Sequence, residues 1–309
     1  MAADRAAIMN IGNQLRFLYL RHMRGIVTPR QLLAWARRRA GDRPALATGA
    51  RTFTLAELDA TARRLANALL AAGMKPGQTL AVRLRNSAEF IVARLAAYKA
   101  GFVFSALVDD FDPDTSVQML GEVECRAFIF DDSLAPDAFE RIRRGTSVDI
   151  HLSAVAPAPD GARALDAFIA SAPATEPKAA VAETSLAAIG FTSGTTGRSK
   201  GVVWNQRAWL WSFYHLLLNS DASAGGGAPV LLHTLPFSTA GSLGILPGLC
   251  SGGLNVILPE FSADAALAAI EKRRVTRMVT VPAFLADIRD EHVAGGRKRD
   301  VSSLAAITV

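Results

Sequence analysis

Cysteine is nearly absent from this chain of 309 residues: only Cys125 and Cys250 carry a thiol. They lie far apart, each in an apolar stretch, which excludes a disulfide framework. The pair reads as buried thiols of a reducing compartment. No Cys/His cluster has metal-ligand spacing, so no metal ligand is assigned. Long apolar runs are missing too, and nothing in the chain reads as a membrane span. The opening Met-Ala-Ala-Asp-Arg has no apolar core or cleavage signal of the secretory type. A cytoplasmic location is the expectation. Aromatic residues are few, but half of the chain is apolar, so a real core is available from alanine and aliphatic side chains.

A net positive charge is absent from most of the chain. The net charge is +6, yet residues 1–43 hold nine arginines against Asp4 and Asp42, a local balance of +7. The remainder stands at −1 and has no basic face, which argues against nucleic-acid binding. On a helix, Ile11, Leu15, Leu18, Tyr19 and Met23 share one face, with Arg16, Arg21 and Arg24 on another. Two readings stand side by side. One is peripheral contact of residues 1–43 with an anionic membrane surface. The other, the plainer and preferred one, is a helix packed on the chain's own core with a solvated basic face.

Beyond residue 50 the apolar period alternates between that of strands and that of helices. Thr54 and Glu57 have capping-box spacing, and Leu55, Leu58, Ala62, Leu65 and Leu69 repeat at helical spacing up to Gly73. Strands are predicted at 79–84, 102–108 and 126–130, with a helix at 88–99 closed by Gly101. Residues 153–180 are rich in proline and alanine, with one helical patch at 164–170. Strands are then predicted at 186–191, 230–235, 254–258, 275–281 and 304–309, and helices at 241–250, 263–273 and 282–290. This alternation predicts an α/β fold of βαβ units with mainly parallel sheets. The predicted organisation is a basic segment (1–50), a first α/β subdomain (51–152), a connection (153–180) and a second α/β subdomain (181–309). The last strand has no cap or tail after it, so the second subdomain is expected to be incomplete.

Residues 192–201 read Thr-Ser-Gly-Thr-Thr-Gly-Arg-Ser-Lys-Gly and follow the apolar stretch 186–191. Gly194 and Gly197 let the backbone turn sharply and present N–H groups to an anion. Thr192, Ser193, Thr195 and Thr196 add hydroxyl donors, and Lys200 adds a mobile cation. A Walker A loop needs four residues between its glycines; here there are only Thr195 and Thr196. The run is read as a phosphate cradle of another type, against the plain alternative of a solvated Gly/Ser/Thr turn.

The order of motifs resembles the N-terminal part of the adenylate-forming superfamily, which includes acyl-CoA synthetases, peptide-synthetase adenylation domains and luciferases. Residues 53–59 with 65–69, residues 85–90 followed by Lys99, Ala100 and Gly101, the run 192–201, and residues 236–241 and 275–282 are similar to its successive blocks. Three departures stand out. Ser199 replaces a common proline, and Gln206 stands where the family often has histidine. Residues 236–241, Pro-Phe-Ser-Thr-Ala-Gly, are one residue shorter than its pocket turn, with Ser238 in place of an aromatic or histidine. No acyl-pocket gate is therefore assigned, and His233 just upstream is read as structural.

The resemblance implies ATP and Mg2+ as co-substrates and a carboxylic acid, fatty or other acyl, as partner. The acid would be activated to an acyl-adenylate, with coenzyme A as the final thiol. It implies that Thr192, Ser193, Gly194, Thr195, Thr196, Gly197 and Lys200 hold the β- and γ-phosphates. It places the adenine turn, the Mg2+-binding glutamate and the catalytic lysine of the family beyond residue 309, so no catalytic residue is assigned in this chain. The alternative is a non-catalytic split subunit or nucleotide-binding module of the same fold.

Overall fold

The computed structural model describes residues 25–108, 110–192, 200–219, 228–296 and 298–309. The first element is helix α1 (Pro29–Ala40). Thr28 accepts from the Gln31 amide, Gln31 returns the bond, and Pro29 opens the first turn, a complete capping box. Leu32, Leu33, Trp35, Ala36 and Ala40 are buried, and Arg37, Arg38 and Arg39 form the last turn, where the helix dipole favours cations. This part of the basic segment thus spends its apolar face on the chain's own core. The amphipathic stretch 11–24 lies outside the described residues. Among the described residues no helix is long and apolar enough to cross a membrane.

Next come β1 (Pro44–Thr48), β2 (Arg51–Thr54), α2 (Leu55–Ala71), β3 (Thr79–Arg83), α3 (Ala88–Ala100) and β4 (Val103–Ala106). The capping box of Thr54 and Glu57 is present, and Gly101 closes α3 in the left-handed region at φ +70°. Helices α4 (Pro113–Glu122) and α5 (Pro136–Gly145) flank β5 (Cys125–Phe130) and precede β6 (Ile150–Ser153). These two helices are not among those the sequence predicts, although each carries a proline at its first helical position, Pro113 and Pro136, and α5 buries Phe139 and Ile142 on one face. The connection 153–180 holds the short β7 (Arg163–Ala164) and α6 (Leu165–Ile169). Asn67 and Arg30 pin its backbone: Asn67 donates to Pro173 O and Thr175 O, Arg30 to Pro177 O and Ala179 O. The chain continues through β8 (Leu186–Thr192), β9 (Lys200–Asn205), α7 (Gln206–Asn219) and β10 (Val230–His233). A 3-10 turn (Ala240–Gly244) leads into α8 (Ile245–Cys250). After it come β11 (Leu254–Ile257), α9 (Ala263–Arg273), β12 (Arg277–Val279), α10 (Pro282–Ala294) and β13 (Ala306–Thr308).

The strands form two sheets, ordered β7-β6-β5-β3-β4-β8-β9 and β13-β12-β10-β11-β1-β2. Every pairing is parallel except the hairpins β1–β2 and β8–β9. The sheets interleave along the chain. The early strand β1 pairs with β11, Leu46 opposite Asn255, and the later β8 pairs with β4, Phe104 opposite Ala188. One apolar cluster draws on both sheets and on α1, α2, α3, α7 and α8. Separate clusters under α4 and α5, and under α9 and α10, cover the outer faces. The architecture is therefore the predicted α/β fold, with parallel strands buried on both faces. Cys125 and Cys250 are buried and not disulfide-bonded.

Candidate phosphate site at the carboxyl edges of two sheets

The run 192–201 is the mouth of a hairpin. Strands β8 and β9 are antiparallel, and Thr192 opposite Lys200 is their last pair. Ser193, Gly194, Thr195, Thr196 and Gly197 lie outside the described residues. The structure therefore fixes the ends of the predicted cradle, Thr192 and Lys200, and the direction in which it leaves the sheet. That direction is informative. Strand β8 runs parallel to β4, and β4 to β3. The run thus leaves the sheet where the parallel strands end, at the carboxyl edge. Open α/β sheets bind their ligands outside this edge. The base of the hairpin is pinned by Gln206, which is fully buried. Its backbone N–H donates to Ser185 O at 2.8 Å and its Nε2 to Leu186 O at 3.1 Å. Gly190 faces Trp204, and a Cβ there would sit 3.0 Å from the indole. The hairpin is the outer edge of the sheet, with Val202 and Val203 exposed.

The same edge of the seven-stranded sheet is strongly charged. Arg83 ends β3 and is buried. Just after it, the Arg85 backbone N–H donates to Asp131 Oδ2 at 2.8 Å, and the Arg85 guanidinium is paired with Asp131 and Asp132. Strand β5 ends here, so these pairs close the crevice between β3 and β5. Chain connections leave those two strands in opposite directions, which makes this the topological switch point of the sheet.

The carboxyl edge of the six-stranded sheet is neutral. His233 ends β10 and is 1 % exposed; its Nε2 lies 2.9 Å from Asn255 Oδ1 on β11. Asn255 in turn donates to Ala45 O on β1 at 3.0 Å. Burial pushes the imidazole down to about 4, so it is uncharged at neutral pH. With one nitrogen held by Asn255, His233 is a strand-tying residue, as the sequence suggested. Thr234 donates to Val279 O and meets Thr280 Oγ1, each at 3.0 Å, across β10 and β12. Burial also pushes the Cys125 thiol up to about 12 and raises that of Cys250, which removes both as nucleophiles.

Two side chains bring the edges together. Asn86, just after β3, reaches the turn after β10 and bonds Leu235 O and the Phe237 N–H. Arg85 also reaches Glu260, after β11, at 3.5 Å. In the sequence Asn86 is one letter of a helix-start block, and no local signal marks its contact with the later turn. Among the described residues no group of three acidic, histidine or cysteine side chains could hold a metal ion. The described donor set, a lysine at a hairpin mouth on a parallel-sheet carboxyl edge, suits an anionic phosphate chain. It supplies no ligand set for Mg2+.

Comparison with known proteins gives the same direction. Residues 32–309 match the AMP-binding enzyme family. An indoleacetate–CoA ligase of Aromatoleum aromaticum is 30 % identical over 288 residues, covering 90 % of this chain and 54 % of that protein. A feruloyl-CoA synthase of an Amycolatopsis species is 31 % identical over 291 residues, with 89 % and 53 % covered. The crystal structure of an anthranilate–CoA ligase in complex with anthranoyl-AMP superposes with a TM-score of 0.81 at 20 % identity, over 90 % of this chain and 54 % of that one. The chain spans about half the length of the curated relatives it matches. By family match, ordered motifs and fold, it belongs to the AMP-binding enzymes of the adenylate-forming superfamily.

Proposed function

We propose that the chain carries the ATP-gripping part of an AMP-forming acid–thiol ligase, and that the run 192–200 holds the β- and γ-phosphates. In the reaction, a carboxylate oxygen attacks the α-phosphorus of ATP. The bond from that phosphorus to the bridging oxygen breaks, and pyrophosphate leaves with the electron pair. A thiol, that of coenzyme A, then displaces AMP from the acyl-adenylate and forms the thioester. When bound, Mg2+ supplies charge neutralisation on the phosphates.

The task of this chain's own residues is also charge control. An anionic nucleophile must approach a polyanion, which requires cations and N–H dipoles fixed in advance. Lys200 supplies the cation. The glycines and hydroxyls between Ser193 and Gly197 supply a close backbone approach. The sequence places no histidine among the serines and threonines of the motif, which favours a site that grips and positions over one that forms a covalent intermediate. The acid is proposed to have an apolar, often aromatic body, since the relatives named above are ligases of indoleacetate and ferulate.

The observation that carries this reading is the pairing of Thr192 with Lys200 at the carboxyl edge of the parallel strands. Competition binding tests it. Pyrophosphate should displace a fluorescent ATP analogue from the chain, while AMP should do so poorly. Equal displacement by AMP would remove the β,γ-phosphate assignment. Carboxylate-dependent ATP–pyrophosphate exchange then separates the two classes: the isolated chain is expected to bind without exchanging. Binding without exchange also by a version extended to the relatives' length would favour a non-catalytic module.

A further inference from the structure

The hairpin that carries Thr192 and Lys200 stands clear of the sheet it belongs to. Among the described residues, β8 pairs with β4 only at Ala188 and Ile189. From Gly190 to Thr192 its strand partner is β9, and β9 is the last strand of the sheet. Lys200 therefore ends a two-stranded arm, about 13 Å beyond Trp204 at strand spacing. A small error at the root of such an arm becomes a large one at its mouth. The root is also where register is weakest. Leu186 lies opposite Asn205 but Ala188 opposite Trp204, so one extra residue, Ala187, is accommodated between them. A slip of one residue would turn every side chain of β9 to the other face, that of Lys200 included.

Two contacts fix this root. Gln206 is the first residue of α7, and its bonds to Ser185 O and Leu186 O fall beside the extra residue. The second contact is the Trp204 ring against Gly190, where a Cβ would lie 3.0 and 3.2 Å from two ring carbons. Behind Trp204 stands Trp209, with ring centres 5.1 Å apart, and Trp209 Nε1 donates to the Tyr98 hydroxyl on α3 at 2.9 Å. Trp209 and Tyr98 are buried, so the hairpin leans on a column of rings that ends in the core. Stability alone does not ask for Gln206. Its Oε1 is buried without a partner among the described residues, and an apolar side chain of similar size would avoid that cost. Positions that break local rules in this way concentrate at functional sites.

We propose that Gln206 and Trp204 are positioning residues of the phosphate grip. The glutamine locks the register of the hairpin and the indole sets its tilt, so that Lys200 meets the phosphates at a fixed point outside the carboxyl edge. Both act through Lys200. This rests on the adenylation reading. Pyrophosphate titration, amide hydrogen exchange of residues 200–205 and thermal melting, all on the full chain, test it together. Gln206→Leu should lower pyrophosphate affinity roughly tenfold, the scale of one lost hydrogen bond, and speed exchange of 200–205 while the melting temperature holds. Gln206→His should keep both near wild type, because an imidazole N–H can still donate to Leu186 O. Gly190→Ala should lift β8 off the Trp204 ring and weaken pyrophosphate binding with Gln206 intact.

Ile142→Val, in the separate cluster under α5, is the control: it should lower the melting temperature and leave pyrophosphate affinity unchanged. Wild-type affinity in Gln206→Leu would overturn the role of the glutamine, and wild-type affinity in Gly190→Ala that of the indole. A loss of affinity in Ile142→Val as large as that in Gln206→Leu would trace the effect to global stability and overturn the proposal too. Where Gln206→Leu does not fold, Gly190→Ala decides by itself. Failure of the wild-type chain to bind pyrophosphate would instead sink the adenylation reading.

Discussion

The two sheets end on edges tied together by Asn86 and Arg85, yet with opposite chemistry. The seven-stranded sheet closes on formal charges: Arg83, Arg85, Asp131, Asp132 and the Lys200 mouth. The six-stranded sheet closes on neutral groups: His233, Asn255, Thr234 and Thr280. The difference is only partly one of burial, since Arg83 and Asp131 on the charged edge are buried as well. The neutral groups are 2 % exposed or less, where an unpaired charge would be costly, whereas Arg85 and Asp132 have water to screen them. The charged edge suits a polyanion. The neutral edge suits a rigid contact between strands. The two should therefore respond to different perturbations.

The largest effect is expected on the neutral edge. Asn255→Ala would orphan both the His233 imidazole and Ala45 O in the core, at a cost of about 3–5 kcal/mol. Chemical denaturation measures this directly. A cost below about 1 kcal/mol would mean that the amide ties nothing. Acid should find the same edge. The folded His233 sits at about 4 and an unfolded histidine near 6.5. As pH falls below about 6.5, the unfolded chain takes up a proton that the folded chain refuses. Stability contributed by the neutral histidine is thus complete above pH 6.5. It falls at about 1.4 kcal/mol per pH unit toward pH 4 and levels off below that, roughly 3 kcal/mol in all. His233→Gln should flatten this part of the profile relative to wild type. An unchanged slope would show that another group carries the dependence.

This contrast explains which parts were legible beforehand. The run 192–201, the candidate phosphate cradle, is a set of particular residue types next to each other, so it stands out in the sequence. The capping box at Thr54 and Glu57 and the helix stop at Gly101 are local in the same way. The alternation of strand and helix period gave the α/β class. The interleaving of the sheets was hidden. The pairing of Leu46 with Asn255 is decided by burial of whole faces, and no local residue type encodes it. The Asn86 contact across to Phe237 was hidden for the same reason. His233 looked structural from its strand setting, but its partner could not be named until register placed Asn255 beside it. The amphipathic face at 11–24 falls outside the described residues, while α1 puts its apolar side inward.

On the charged edge the expected effects are functional first. Lys200→Ala should weaken pyrophosphate and ATP binding roughly 10- to 100-fold, the scale of one charge-assisted phosphate contact, with little change in melting temperature. Isothermal titration in low and high salt would sharpen the point. The wild-type affinity should fall as salt rises, and the variant's should fall less. A variant that binds pyrophosphate as tightly as wild type would place the phosphate grip elsewhere.

The smallest effect is expected at Arg85. Its pairs with Asp131, Asp132 and Glu260 look like a strong cluster, but the arginine side chain is 35 % exposed, and Asp132 and Glu260 are 61 % and 75 % exposed. Exposed ion pairs are screened and must hold long side chains in place, so Arg85→Ala should cost less than about 1 kcal/mol. Part of the local order survives the substitution, because the bond to Asp131 comes from the Arg85 backbone N–H. High salt should reproduce most of the loss in wild type and none in the variant. A cost of several kcal/mol that salt does not touch would mean that the crevice between β3 and β5 is drier than these exposures imply. The distinction between a screened edge and a dry one would then fail.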